Sequence, residues 1–389
     1  MTILYYSWQE NSTTDILEAF RSLGHEVKLY VHELSHYFSS AFSSELSEEL
    51  QTCHYNLIFT FNYISQISNT AEVYGIPYFS WIFDCPNIEI YSKSLSNSCN
   101  YIFLFDKDMC ETAMRNHPKH LYHLPLAINT DRLNTFLRLP HQKKGFFPEH
   151  YLHDISFVGS LYDRTMYNRL ERAASPHLKG YLDGIMAAQK KIQGVDLISG
   201  LLTEKRVAEI RRFLPIRINA DYSCTEKELY THMIQKKITS EERIEAINLL
   251  SSLTPVALYT GSDAAAFCPG ALSLGTVSYI SQMPRVFHRS KINLNISLRS
   301  ITSGIPLRAI DILACGGFLL SNYQPELCEF FVPGQDFVYY EDFTDLKEKA
   351  AYYLEHDTER EEIAYNGYLS AQKQFSYSRQ VAKMLAVLE

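Results

Sequence analysis

Residues Asn56–Phe61 read NLIFTF and residues Tyr101–Phe105 read YIFLF. Neither run alternates polar with apolar side chains, so neither suits a strand with one wet face. Each reads as a strand buried on both sides, which a mostly parallel sheet covered by helices provides. Working outward, β-rich runs recur at Ile3–Ser7, Glu26–Val31, Pro77–Ile82 and Leu121–Leu124, separated by amphipathic stretches and bounded by Gly, Pro or polar clusters. The alternation predicts a β-α-β domain over residues 1–140. Within it, Leu23-Gly24-His25 has the form of a helix C-cap feeding the second strand, with Gly24 left-handed.

Periodicity is lost from about 136 to 153, FLRLPHQKKGFFPEHYLH, where Pro, Gly and basic residues gather, and this stretch predicts the linker. A second α/β pattern follows over 154–375. It opens with the strand Asp154–Val158, is interrupted by a helical insertion at about 165–252, and resumes with strands at Val256–Thr260, Val277–Ile280, Ile292–Ile296, Phe318–Ser321 and Phe337–Tyr340. Helices are predicted over Leu346–Glu355, Glu359–Phe375 and Tyr377–Leu388, and the last segment, 376–389, is expected to pack back on the first domain. Two Rossmann-like halves predict a cleft faced by the carboxyl ends of both sheets, where ligands of open α/β sheets bind. Dehydrogenases, binding proteins and glycosyltransferases all use such an architecture, so the fold does not choose the function.

A chain of 389 residues exceeds what one hydrophobic core supports, in line with two domains. Hydrophobic residues at 46% and charged residues at 21% exclude disordered and collagen-like classes. The net charge of −8 disfavours nucleic acid and anionic lipid as partners. The opening MTILYYSWQENS has neither a basic n-region nor an apolar h-region, and no run approaches the roughly 18 apolar residues of a spanning helix. A cytoplasmic protein without a transmembrane segment is expected, its eight cysteines reduced because no C-x-x-C pair occurs among them.

Several motifs are missing. Ser7–Asn11 stands where a dinucleotide-binding G-x-G-x-x-G would follow the first strand, and no P-loop, G-x-S-x-G elbow or H-E-x-x-H is present. No histidine pair has metal-ligand spacing on a convincing helix, so neither metal nor cofactor is expected. Asp106-Lys107-Asp108 has the D-x-D form of a cation site, but Asp108 with Glu111 reads better as a helix capping box.

From Ala264 to Ile310 there is no Asp or Glu, while Arg285, Arg289, Lys291, Arg299 and Arg308 all lie there, a local positive field in an acidic protein. Near its end, Ser303-Gly304 precedes Pro306, and Gly316-Gly317 closes the short helix that follows. A helix N-terminus at that place holds a diphosphate through backbone N–H groups and the helix dipole, with Gly304 permitting close approach and Arg308 adding a fork of donors. Asp311, on the same helical face as Arg308, is placed to accept from ribose hydroxyls; the plainer alternative is a surface Arg–Asp pair worth about 1 kcal/mol at most.

The block Lys291–Tyr340, KINLNISLRSITSGIPLRAIDILACGGFLLSNYQPELCEFFVPGQDFVYY, resembles the C-terminal domain of the CgeB-like (spore maturation protein) glycosyltransferases, which have the two-domain GT-B fold. Ile76–Asn129, with SWIFDCP, NYIFLFDKD and LYHLPLAIN, resembles the N-terminal domain of unknown function found with them. The resemblance implies a nucleotide-diphosphate sugar held mainly by the C-terminal domain and an acceptor held mainly by the N-terminal one. It also implies two glutamates eight positions apart in many retaining members; here Ser303 and Asp311 occupy those places, which leaves the stereochemical outcome open. Gly159 and Ser160 would offer amides to the phosphates and Arg164 would reach the same charge, although from the residues alone a plain βα turn is the better reading. Asn295 is a further donor-side candidate. Tyr279 lies by a base-binding edge but reads more as core than as a stacking platform.

In the first domain Asp84 follows a buried strand and is the first candidate for the base in an inverting reaction, with Glu10 and Asp15 as reserves; an Asx-turn ahead of Pro86 explains Asp84 as well. The expected activity is that of a metal-independent glycosyltransferase of the hexosyltransferase class, moving a sugar from a nucleotide-diphosphate donor, UDP-sugar favoured, to a glycan or protein. A non-catalytic nucleotide-sugar or glycan binder, motivated by Ser303, and a nucleotide-sugar epimerase are the alternatives.

Overall fold

A computed structural model describes residues 1–32, 39–140 and 142–388, so His141 of the expected linker and Glu389 lie outside it. Contacts divide the chain into two compact units. The first comprises Met1–Ala127, Ile218–Cys224 and Phe375–Glu389, and the second Ile128–Arg217 and Thr225–Gln374.

The first unit is built on a six-stranded sheet: β1 (Thr2–Ser7), β2 (Glu26–Val31), β3 (Leu57–Phe61), β4 (Tyr78–Ile82), β5 (Asn100–Leu104) and β6 (His120–His123). Their spatial order is β2-β1-β3-β4-β5-β6 and every pairing is parallel. All residues of β3 and β4 are buried, as unbroken apolar runs demand in a sheet covered on both faces. Gly24 takes a left-handed φ of 82° after the helix Thr13–Ser22. The helix Tyr377–Leu385 packs against Thr13–Ser22, and Tyr377 meets Trp81 edge-on.

The second unit repeats the plan with β7 (His153–Val158), β8 (Val256–Tyr259), β9 (Leu272–Ser273), β10 (Ser290–Asn295), β11 (Leu319–Asn322) and β12 (Val338–Tyr340), ordered β12-β11-β10-β7-β8-β9 and again parallel. Between β7 and β8 stand five helices: Tyr167–Ala173, Pro176–Lys190, Ile198–Leu201, Glu204–Phe213 and Glu226–Leu250. They share a core of their own, including Leu178, Leu182, Ile210, Tyr230 and Ile234. The insertion therefore carries its own buried apolar surface, beside the core of the sheet.

Three local expectations are corrected. Val277–Ile280 is not a strand; the edge strand is β9, and Gly275, with φ of 71°, turns the chain away directly afterwards. The stretch expected to link the domains falls inside the second unit, because the helix Thr130–Leu137 packs on the helix Met283–His288. Asp106, not Asp108, caps the helix Lys107–Ala113, accepting from Met109 N–H at 2.9 Å.

Candidate functional site

In the second sheet the chain moves outward from β7 to β8 and β9, then returns to β10 on the other side of β7. The loops leaving the carboxyl ends of β7 and β10 therefore diverge, and this is the point where open α/β sheets bind ligands. Arg243, from the long inserted helix, lies across it. Its Nη1 donates to Ser160 O beyond β7 at 2.6 Å, while Nε and Nη2 donate to Ile296 O beyond β10 at 3.2 and 2.6 Å. A guanidinium has five N–H donors, more than these three bonds use. Burial draws the Arg243 pKa below its ordinary value, and the charge of Arg308 acts in the same direction.

The ring of Tyr162 lies between two cations, with the Arg243 guanidinium 4.8 Å and the Lys236 ammonium 4.9 Å from its centroid. Tyr162 has φ of 52°, a left-handed backbone that a bulky residue adopts only under constraint. Lys236 and Arg243 are seven positions apart on one helix, so they project from the same face two turns apart.

The helix Leu307–Ala314 starts after Pro306 without a side-chain cap. It ends at Gly316, whose φ is 69°. Added Cβ atoms at Gly316 and Gly317 would fall 2.5 Å from Phe146 and 2.6 Å from Asn293, so only glycine fits there. On its first turns Arg308 Nη1 donates to Asp311 Oδ2 at 3.1 Å and also meets the Met283 sulfur. The hydroxyl of Tyr279 donates to Asp311 Oδ1 at 2.9 Å. Asp311 is buried, while the Arg308 side chain keeps 30% exposure. Thus Tyr279, Arg308 and Asp311 form one connected group, with the guanidinium at its accessible end. At the preceding turn Ser303 Oγ donates to Glu326 Oε1 at 2.7 Å, and Glu326 N–H donates back to Ser303 O at 3.0 Å. A buried carboxylate thus stands beside the position where the resembling family carries one in the chain.

Other candidates are committed elsewhere. Arg299 is paired with Glu242, both nearly buried, with Nε 2.8 Å from Oε2, and it also donates to Ile192 O at 2.9 Å. It fastens the insertion to the loop after β10, with its charge met by Glu242. Gly159 N–H, expected to face phosphate, donates to Tyr259 O at 3.0 Å, continuing the β7–β8 ladder. Arg164 is exposed and only 3.9 Å from its neighbour Asp163, so nothing aims it at the site. Asn295 is buried and donates to Ser297 and Ser321 hydroxyls, holding the ends of β10 and β11 together. A cavity of about 290 Å³ lies between the insertion and the ends of β10–β12, lined by Ala187, Lys190, Glu242, Ile296, Tyr340 and Phe343. Lys191 lines it as well, while Lys190 is paired with Glu241 and Glu245.

On the first unit, Glu10 is buried and turned inward: its carboxylate accepts from Ser7 Oγ and Trp8 N–H, both at 3.1 Å, and from Thr13 Oγ1 at 3.0 Å. Burial raises its pKa, with those hydrogen bonds opposing. Asp15 is buried on the first helix. Only Asp84 of the three is exposed, where it accepts from Asn62 Nδ2 at 2.7 Å. Sequence reasoning missed Arg243, Lys236 and Glu326. The first two sit in a helix whose charges look like an ordinary solvated face, and no local pattern marks Glu326.

Residues 257–386 match the model of the glycosyltransferase-like family. No curated protein matches the chain at a significant level. Among solved structures, a glycosyltransferase from Rickettsia africae ESF-5 is similar over 99% of this chain and 97% of its own, with 10% identity and a TM-score of 0.58. Sucrose-phosphate synthase from Thermosynechococcus elongatus is similar over 100% and 98%, with 11% identity and a TM-score of 0.55. HepE from Anabaena, solved with UDP and glucose, is similar over the full length of both chains, with 10% identity and a TM-score of 0.53. No helix among the described residues is long and apolar enough to cross a membrane. The whole chain has the fold of GT-B glycosyltransferases, and its residues 257–386 are similar to the glycosyltransferase-like family.

Proposed function

We propose that the chain transfers a sugar from a nucleotide-diphosphate donor, a UDP-sugar foremost, to a hydroxyl of a glycan or protein, without a divalent metal. Within the glycosyltransferase-like family, the block Lys291–Tyr340 points to the CgeB-like branch. The observation that carries the proposal is Arg243, a half-buried guanidinium across the ends of β7 and β10, with the charge of Arg308 bearing on it. In glycosyl transfer the bond from the anomeric carbon to the diphosphate oxygen breaks, and the electron pair leaves with the diphosphate. The acceptor oxygen bonds to that carbon and its proton passes to a base. Arg243 and Arg308 would offset the charge that builds on the diphosphate, in surroundings where water screens it poorly. Asp311, fixed by Tyr279 and Arg308, would accept from the ribose. Asp84 is the exposed first-unit carboxylate available to the acceptor hydroxyl if configuration inverts.

The alternative, a non-catalytic binder, rests on Ser303, whose hydroxyl is turned to the buried Glu326 carboxylate. The test has two steps. Thermal unfolding is followed with UDP, GDP, dTDP and CMP; a bound nucleotide raises the midpoint in proportion to RT ln(1+[L]/Kd). Release of free nucleoside diphosphate is then measured with donor and candidate acceptors. Stabilisation by UDP and acceptor-dependent release are expected. No stabilisation by any nucleotide removes the donor site, and stabilisation without release under every acceptor returns the binder.

A further inference from the structure

The first sheet has a switch point of its own. The chain steps from β1 to β2 on one side and then to β3 on the other, so the loops after β1 and β3 diverge. Trp8 lies there with 43% of its surface exposed, whereas Trp81, the other of the chain's two tryptophans, is fully buried. An exposed indole is usually mobile; this one is fixed at both ends. Its Nε1 donates across the switch point to Phe61 O at 3.2 Å, and its backbone N–H donates to the Glu10 carboxylate at 3.1 Å. The next residue after Phe61 is Asn62, which donates through Nδ2 to Asp84 Oδ2 and accepts through Oδ1 from the N–H groups of Phe83 and Asp84 at 2.9 and 3.1 Å. Gln9 follows Trp8 and Asn62 follows its partner Phe61, and both have left-handed backbones, with φ of 68° and 59°. Two non-glycine residues held so, one on each side of a switch point, are the kind of local strain that surrounding bonds sustain at binding sites.

We infer that Trp8, with Asn62 and Asp84, is the seat of a neutral pyranose ring of the acceptor. The assignment rests on the proposed glycosyl transfer and names its acceptor class. An indole face is electron-rich and apolar, and it attracts the weakly positive C–H face of a sugar ring. The rim hydroxyls of that ring need hydrogen-bond partners, and the exposed Asp84 carboxylate supplies acceptors while Asn62 Nδ2 has one hydrogen beyond the one it gives Asp84. A phosphate-bearing ligand would be repelled by Asp84, and a wholly apolar one would strip water from that carboxylate and leave it Asn62 alone. With Trp8 already immobilised, little side-chain entropy is lost on binding.

The full chain is titrated with the methyl glycosides of glucose, galactose, mannose and N-acetylglucosamine, with and without UDP, while tryptophan fluorescence is recorded. Since Trp81 is buried, the exposed indole dominates any response to a ligand. A saturable change is expected with at least one glycoside, vanishing in Trp8→Phe, and calorimetry on Trp8→Ala is expected to show roughly tenfold weaker binding. UDP affinity should stay unchanged in both variants, which also shows that they are folded. Absence of a saturable response to every glycoside overturns the assignment, as does a response that survives Trp8→Phe. If UDP fails to bind the wild type, the donor reading falls; if UDP binds and the glycosides do not, only the pyranose seat falls.

Discussion

Replacement of Arg243 by Ala separates the donor site from the scaffold. The guanidinium makes three hydrogen bonds to two main-chain carbonyls, Ser160 O and Ile296 O, which belong to loops leaving neighbouring strands. Charge-assisted bonds net about 1.5–3 kcal/mol each; Ser160 is exposed and its carbonyl rehydrates, while Ile296 is buried and its carbonyl loses its donors, so a stability loss of about 2–3 kcal/mol is expected for the group. A domain stable by roughly 5–15 kcal/mol survives that. Donor binding has no such reserve. Removal of one guanidinium from a partly desolvated diphosphate costs about 2–3 kcal/mol, or roughly 30- to 150-fold in affinity. Arg243→Lys keeps the charge but cannot bridge both carbonyls and an anion together, so it should recover only part. Calorimetric titration with UDP, at low and high salt, checks both variants, and the salt dependence of binding should flatten in Arg243→Ala. A folded Arg243→Ala chain that binds UDP within about twofold of the wild type would refute the placement of diphosphate at this switch point.

Other variants test the remaining parts. Arg299→Ala leaves the buried Glu242 unpaired and should lower stability by about 3–5 kcal/mol in denaturant unfolding, yet UDP affinity in the folded fraction should hold; a selective loss of UDP binding would restore Arg299 as a ligand. Tyr279→Phe removes a hydrogen-bond donor from buried Asp311 and should weaken UDP binding by roughly fivefold, about 1 kcal/mol, with Asp311→Asn at least as severe; unchanged affinity in both would exclude the Asp311 group from the ribose. Burial lowers the pKa of His153, His232 and His288 below 6.5, so the unfolded chain binds protons that the native chain refuses. Stability of the second unit is therefore full above pH 6.5 and should fall as pH drops below it, read as the midpoint of thermal unfolding between pH 7.5 and 5.5, about 1 unit either side; a flat profile would contradict the buried neutral imidazoles.

The parallel character of both sheets was legible because it rests on local pattern. NLIFTF at Asn56–Phe61 has no polar alternation, and a strand of that kind is buried on both faces wherever it lies. The glycine pair at Gly316-Gly317 likewise marked a helix end from residue type alone. The misplaced strand at Val277–Ile280 shows the limit of such reading: apolar residues in a row say nothing about whether a sheet edge is within reach, and Gly275 had already turned the chain away.

The candidate site divides in the same manner. Arg308 and Asp311 were found by their spacing, since three positions on a helix make neighbours whatever the rest of the chain does. Arg299 and Arg243 could not be sorted in that way. Arg299 lies in a stretch without Asp or Glu and Arg243 in a helix rich in glutamate, yet it is Arg299 that is neutralised, and this depends on contacts across 57 and 83 positions of chain. Glu326 reaches Ser303 across 23 positions, and Trp8 reaches Phe61 across 53. Hydrophobic period and turn chemistry, which act between near neighbours, were determined by the sequence alone. The choice of which charge stays available, and which aromatic ring is held in the open, was decided only when distant segments were packed together, because electrostatic pairing and burial depend on what lies across the fold.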